Sequence, residues 1–299
     1  MKPVILGSRG SPLALAQSRY IMAELKRAWP GRNFEIHVVK TEGDRLSEKA
    51  DAGNLKLGKG LFTAELERAL LSGEIDLAVH SLKDLPTSSP EGLMLAAIPK
   101  RGDARDALIT KNSETREELP DNWVTASGSL RRVLLGPELR YGAIVATGSP
   151  RREAQLRQVR DDLVIAPVRG NIDTRLRKFR ENEEWSGLIL AAAGLERLKP
   201  DVAGLTVTRM PYAQMLPAPG QGALALQTRM ENSVDIRTLV RSLHDPVTAA
   251  AVTAERMFLQ ALGGGCGEPI AAYAEVTADN LLTLEGIAWL IGEIGRAHV

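Results

Sequence analysis

The sequence predicts an α/β protein, and three observations carry that prediction. Short β-rich apolar runs alternate with amphipathic helical stretches along most of the 299 residues. Several helical stretches open on a capping residue followed directly by proline, just after an apolar run. From about Arg229 the texture changes to one long helix and two alternating runs, the pattern of a smaller α+β unit. A chain of this length builds a large core and has room for more than one domain.

Val4–Gly7 reads as the first strand. Ser11 then caps a helix over Pro12–Trp29, with Pro12 at the first helical position, where a missing N–H costs nothing. Phe34–Lys40 reads as a strand, Thr63–Ser72 as a helix and Asp76–His80 as a buried strand. After Arg101-Gly102-Asp103 the pattern restarts, with strands at Ala107–Thr110, Ile144–Thr147, Leu163–Pro167 and Leu188–Ala192. Helices at Pro150–Val159 and Asp173–Glu181 lie between them. Asp245 caps a long helix from Pro246 to Leu262, which Gly263 ends. Ile270–Val276 and Leu281–Ile287 then form a hairpin. With helices on both faces of a sheet, a ligand is expected beyond the carboxyl ends of the strands, where loops meet helix N-termini.

Thirty-eight basic and 37 acidic residues leave a formal net charge of +1. A 44% hydrophobic, 25% charged composition excludes wholesale disorder. No apolar run approaches the roughly 20 residues of a membrane span, and the N-terminal run is too short for a secretion signal. The single cysteine, Cys266, excludes an internal disulfide and a multi-cysteine metal site, and suits a reducing cytoplasm. Near-neutral charge with only 4% aromatics argues against a nucleic-acid partner. Arginine outnumbers lysine more than two to one, which points to recognition of planar anions.

The densest local signal is an arginine belt: Arg151, Arg152, Arg157, Arg169, Arg175, Arg177 and Arg180. Ser149-Pro150-Arg151-Arg152 opens one helix and Arg169-Gly170-Asn171 precedes another. Unpaired N–H groups at a helix start, beside a guanidinium fork, suit carboxylates or phosphates. Arg157, Arg160, Arg177 and Arg180 are expected to be solvated helix-face residues. Gly58-Lys59-Gly60-Leu61-Phe62 lacks phosphate-loop spacing and reads either as a hinged loop presenting Lys56 and Lys59 or as a solvated loop. Lys83 and Asp84 follow a strand end, as a site pair or as a surface ion pair. His80 is expected to be a satisfied core histidine, with no metal ligand spacing around it. Cys266, set in a glycine run, is either a small buried hydrophobe or an accessible sulfur for covalent attachment of a group. Ser127-Gly128-Ser129-Leu130-Arg131-Arg132 recurs, altered, twenty positions later as Thr147-Gly148-Ser149-Pro150-Arg151-Arg152.

Ser8-Arg9-Gly10-Ser11-Pro12-Leu13-Ala14, Gly58-Lys59-Gly60-Leu61-Phe62, His80-Ser81-Leu82-Lys83-Asp84-Leu85-Pro86, Arg169-Gly170-Asn171, Leu216-Pro217-Ala218-Pro219-Gly220-Gln221-Gly222-Ala223 and Gly264-Gly265-Cys266 resemble the porphobilinogen deaminase (hydroxymethylbilane synthase) family. The motifs occur in family order from residue 4 to about 289. The resemblance implies two periplasmic-binding-protein-like domains facing a cleft, 1–102 (completed by about 220–239) and 103–219, plus a cofactor-attachment domain over 240–299. It implies a monomer, with a dipyrromethane cofactor bound through a thioether to Cys266. Four porphobilinogen molecules are then condensed head to tail, with loss of ammonia, into hydroxymethylbilane for tetrapyrrole and heme biosynthesis. Each pyrrole carries an acetate and a propionate, so a growing chain gathers carboxylates that planar guanidinium forks neutralise. Position by position, Asp84 matches the catalytic carboxylate, stabilising the cationic azafulvene left by deamination. Arg9, Ser11, Lys59, Arg169, Arg175 and Arg197 match substrate binders. Lys83, Thr147, Ser149, Arg151, Arg152, Gly170 and Cys266 match cofactor binders.

Three departures from the family pattern shape the expectations. Arg151-Arg152, followed by Glu153-Ala154-Gln155-Leu156 and at the family distance from Arg169, is taken over Arg131-Arg132, which makes roughly 124–143 an insertion. Thr41-Glu42-Gly43-Asp44 places an acid where a base or neutral residue is usual, and Lys56-Leu57-Gly58-Lys59 is one residue short. The third domain is expected to be incomplete, its natural sequence stopping near Glu293 and Ile294-Gly295-Arg296-Ala297-His298-Val299 coming from outside the gene. A non-catalytic carboxylate-binding module of the same cleft fold is the alternative, and it gives Cys266 and Lys83-Asp84 no role.

Overall fold

The structure is a computed structural model and describes residues 2–40, 63–111, 139–232, 234–264 and 267–289. The first sheet begins with β1 (Val4–Arg9), α1 (Pro12–Ala28) and β2 (Phe34–Val39). The α1 N-terminus forms as its sequence dictates: the Ser11 side chain accepts the Ala14 N–H, and Pro12 follows. Lys26 and Arg27 in its last turn face the negative end of the helix dipole. Ile21 and Leu25, one turn apart and both fully buried, pack with Val4, Leu6, Phe34 and Leu77. Each such burial contributes about 1.5–3 kcal/mol.

After α2 (Ala64–Leu71), β3 (Leu77–Ser81) pairs in parallel with β1. β4 (Leu93–Ala97) then closes one edge, and β10 (Leu224–Arg229) inserts antiparallel between β3 and β4, giving the order β2-β1-β3-β10-β4. The second sheet repeats this plan. β5 (Asp106–Lys111), β6 (Ile144–Ala146), α3 (Pro150–Val159), β7 (Val164–Ala166), α4 (Ile172–Glu181), β8 (Trp185–Ala191), α5 (Ala192–Leu198) and β9 (Leu205–Arg209) give the order β7-β6-β8-β5-β9. Here β5 is the antiparallel strand, between β8 and β9.

In both sheets, therefore, three parallel strands are followed by one antiparallel strand that comes from the other sheet's side of the chain. The chain crosses once between β4 and β5 and returns between β9 and β10. The two crossing segments touch: Gly102 N–H donates to Gly222 O at 3.1 Å. Gly222 has φ +85°, and a Cβ there would lie 2.7 Å from the Gly102 carbonyl oxygen, so only glycine fits. This double crossover between like sheets is the expected pair of periplasmic-binding-protein-like units. α6 (Val234–Arg241) returns to the first sheet, where Ile236, Leu239 and Val240 join its core. α7 (Pro246–Ala261), capped by Asp245, leads to the hairpin β11 (Ile270–Val276) and β12 (Leu282–Ala288).

β4, β9, β10, α5 and α6 have no counterpart in the sequence reading. β9 is an exposed edge strand with polar alternation, and α5 has seven residues and no side-chain cap, so neither carries a strong periodic signal. The expectation for Arg160 is corrected. It is fully buried, because it ends α3 and its guanidinium folds back onto Asp162, with Nε to Oδ1 and Nη2 to Oδ2 both at 2.6 Å. It also donates to the Leu139 and Arg140 carbonyls. Arg157 and Arg177 lie exposed in i,i+4 pairs with Glu153 and Glu181, and Arg180 is exposed as well.

Candidate active site

The carboxyl ends of β1, β3, β6 and β7 bring most of the predicted residues into one region. β1 delivers Arg9, and Ser11 is spent on capping α1. β3 runs into a 3-10 turn, Leu82–Asp84, that leaves Lys83 half-buried and Asp84 exposed. The turn is fastened from behind: Leu82 N–H donates to Ala223 O, and Arg256 of α7 donates to the Leu85 and Pro86 carbonyls at 3.1 and 2.6 Å. His80 is buried, its Nε2 3.0 Å from Gln227 Oε1, and burial pulls its pKa down to about 4, aided by Arg9. It is a neutral core histidine, and no metal-holding group of His, Cys, Asp and Glu exists among the described residues.

β6 leads to Thr147, whose hydroxyl oxygen accepts the Ser149 N–H, and Ser149 caps α3. The first turn of α3 thus carries Arg151 and Arg152 inward, 3% and 5% exposed. Both meet Asp106 at the start of β5, at 2.8 and 2.7 Å. Burial alone would push the Asp106 carboxyl up, but the two guanidiniums outweigh it and hold the group well below the usual carboxylate range. Arg152 also donates to Ile189 O and Arg151 to Leu216 O. The pair is therefore not two open forks, as the sequence suggested, but a buried cluster with its own counter-ion. Arg151 Nε remains buried with no hydrogen-bond partner among the described residues.

β7 leads to Arg169, exposed, and Gly170, whose φ of +115° and whose Cβ position 2.7 Å from the Thr174 side chain require glycine. Arg175, in the first turn of α4, donates Nε–H to Gly170 O at 2.7 Å. Desolvation, then Arg152 and Arg169, push the Arg175 pKa down to about 10, while Asp84 opposes them. Lys83 is pulled down to about 8, first by desolvation; Asp84 and Asp106 raise it and Arg152 and Arg151 lower it. Lys83 lies within reach of the charges of Asp84, Arg151 and Arg152, and Arg175 within reach of those of Asp84, Arg152 and Arg169, so these six residues make up the candidate site. Arg197 stands apart, donating Nη2–H to Gly222 O at 2.5 Å on the return crossover. Lys59, Cys266 and the Arg131-Arg132 pair lie outside the described residues.

Sequence reasoning missed Asp106, Gln221, Arg256 and the Arg101–Glu255 pair. Asp106 had a visible signal, an acid opening the apolar run Ala107-Leu108-Ile109. Gln221 stood inside the Leu216–Ala223 motif without being singled out, and Arg256 and the Arg101–Glu255 pair had no local signal, because their partners are distant in the chain. Chemically, the site offers clustered cations in excess over carboxylates, with one exposed acid, Asp84, among them. Such an array binds poly-carboxylate ligands and stabilises one positive charge formed beside the acid.

The fold and site thus define a class: an α/β protein of two like sheets joined by a double crossover, with a cluster of cations around one exposed acid, Asp84. The comparisons narrow the class to one family. The family profile described as "porphobilinogen deaminase, dipyromethane cofactor binding domain" matches residues 4–136 and 134–237, and "porphobilinogen deaminase, C-terminal domain" matches 249–295. The chain is 42% identical to the porphobilinogen deaminase of Thermus thermophilus, 44% to that of Deinococcus radiodurans and 45% to that of Deinococcus deserti. Each comparison covers 96% of this chain and 85% of the relative. The chain belongs to the porphobilinogen deaminase family.

Proposed function

We propose that this chain condenses four porphobilinogen molecules head to tail, with loss of ammonia, into hydroxymethylbilane, on a dipyrromethane held through Cys266. The observation that carries the reading is the cationic cluster of Lys83, Arg152, Arg169 and Arg175 facing Asp84. Desolvation first, then Arg152 and Arg169, lower the Arg175 pKa, which supports a site that gains from an added ligand carboxylate. The donor set fits the cofactor: a ligand whose every ring carries an acetate and a propionate suits clustered cations, and the orphaned Arg151 Nε suits one more acceptor. Lys83, Thr147, Ser149, Arg151, Arg152 and Gly170 are the residues that would hold it. When bound, the dipyrromethane supplies the free pyrrole carbon to which the first substrate ring is joined.

The chain's own residues do the rest. Arg9, Lys59, Arg169 and Arg175 take the substrate acetate and propionate, which orients the ring, while Ser11 serves by capping α1 and Arg197 by holding the return crossover at Gly222. Asp84, held on its turn by Arg256, accepts the pyrrole N–H and stabilises the positive charge that develops there as ammonia leaves. Water-exposed carboxylates are weaker stabilisers in general, so filling the cleft with substrate strengthens this contact. On this reading the enzyme is a cytoplasmic monomer made of units 1–102 with 220–239, 103–219 and 240–299, with no nucleic-acid or membrane partner. Among the described residues no helix is long and apolar enough to cross a membrane.

Intact-mass measurement of the expressed chain tests the proposal. The expected result is an adduct of two pyrrole units that disappears in Cys266→Ser, together with consumption of porphobilinogen by the loaded protein. An unmodified Cys266 in active protein would overturn the attachment site, and absence of turnover in fully loaded protein would overturn the activity.

A further inference from the structure

Gln221 lies on the return crossover between β9 and β10 and is 1% exposed. Its amide reaches two units at once. Oε1 accepts from Lys83 Nζ at 3.4 Å, and Nε2 donates to Asp106 Oδ1 at 2.9 Å and to Ala104 O at 2.8 Å. The neighbours dictate that orientation, since the flipped amide would set N–H groups against an ammonium and oxygen against two acceptors. The Gln221 carbonyl accepts Arg101 Nε–H at 2.7 Å, and Arg101 is gripped by Glu255 of α7 at 2.7 and 3.1 Å. Glu255 in turn accepts the Gly220 and Ala274 N–H groups at 2.7 and 2.8 Å. The backbone of Gln221 is therefore anchored to the C-terminal helix, while its side chain spans the two sheets.

We propose that Gln221 is a positioning residue, a two-ended amide clamp that holds the Lys83 ammonium at a set place relative to the Asp106–Arg151–Arg152 cluster. The inference rests on the function proposed above, in which both groups serve one ligand. An ammonium between a carboxylate and two guanidiniums has two poor alternatives. It collapses onto Asp106 and is neutralised, or the arginines repel it out of the site. A neutral amide satisfies both ends without cancelling either charge, so Lys83 keeps its charge for a carboxylate of the ligand. The groups whose charge Lys83 feels are Asp84, Arg152, Asp106 and Arg151, and Gln221 is its uncharged hydrogen-bond partner.

The test compares the full chain with Gln221→Glu and Gln221→Met, each checked for folding by circular dichroism and denaturant unfolding. Acylation of Lys83 by a small amine reagent, followed by mass spectrometry against pH, reads its protonation whether or not the variant turns over. The native chain is expected to half-react near pH 8. Glutamate should raise the proton affinity of Lys83 roughly tenfold, and methionine should lower it by a similar factor. Both variants should lower kcat/KM for porphobilinogen, the methionine variant mainly through KM. A common titration in all three proteins overturns the clamp, as does a methionine variant that loses stability alone. If the native chain carries no pyrrole adduct and consumes no porphobilinogen, the functional reading fails, while the Lys83 titration still decides on the clamp.

Discussion

Asp84→Ala is expected to lower porphobilinogen turnover by roughly 10²–10⁴ while the protein keeps its pyrrole adduct and its unfolding midpoint. The asymmetry follows from where the residue sits. Asp84 is exposed at the end of a 3-10 turn whose position is fixed by other groups, the Leu82 N–H and the Arg256 guanidinium. Removing an exposed carboxylate from a turn held in this way changes stability by no more than about 0.5 kcal/mol. Its charge matters to its neighbours all the same. Asp84 raises the proton affinity of both Lys83 and Arg175, so the alanine variant should carry Lys83 to a pKa below about 8. Arg175 remains charged at neutral pH, since its pKa starts from about 10. Ligand carboxylates are then still bound, and the loss falls on the step in which positive charge develops on the substrate ring. Intact mass and a porphobilinogen-consumption assay on the same sample separate the two effects. Native turnover in Asp84→Ala would remove Asp84 from the chemistry.

The helices with caps and proline were the legible part of the fold. Pro150–Val159 and the strand Ile270–Val276 have the bounds the pattern gives, because Ser149-Pro150 starts the helix and period-two alternation marks the strand. The insertion of β10 between β3 and β4 was not legible from pattern alone. It pairs Leu226 with Val79, and no local signal records a partner so far along the chain. The site divides along the same line. Lys83, Asp84, Arg169 and Arg175 stand at strand-to-helix junctions, where the sequence announces an anion site. That Arg151 and Arg152 are already engaged by Asp106, 45 and 46 positions before them, depends on tertiary packing. Arg160 failed for a related reason: its position at a helix end suggests solvent, but Asp162 and two carbonyls turn it inward.

Asp106→Ala is the substitution expected to cost the fold most. It leaves two guanidiniums, 3% and 5% exposed, without their buried counter-ion, and it takes one acceptor from the Gln221 amide. Breaking such a buried pair costs about 3–5 kcal/mol, because the remaining charge stays desolvated. In a chain of this size that is a fall in unfolding temperature of the order of 10 °C. The penalty has a definite pH dependence. Folding holds the Asp106 carboxyl below its unfolded value of about 3.9, so its contribution is full above that pH and is lost as pH falls through the folded value. The stability gap between native and Asp106→Ala protein should accordingly be constant from neutral pH down to about 5 and shrink below about 4. Asp106→Asn, which keeps an acceptor oxygen but no charge, should fall between the two. Small carboxylates supply a clean control. Acetate should raise the unfolding midpoint of Asp106→Ala more than that of the native chain, since in the variant an external anion can take the place of the missing one. Denaturant unfolding across pH 3–8, with and without acetate, reads all of this. A variant within about 0.5 kcal/mol of the native chain, at every pH, would show that the arginine pair does not depend on Asp106.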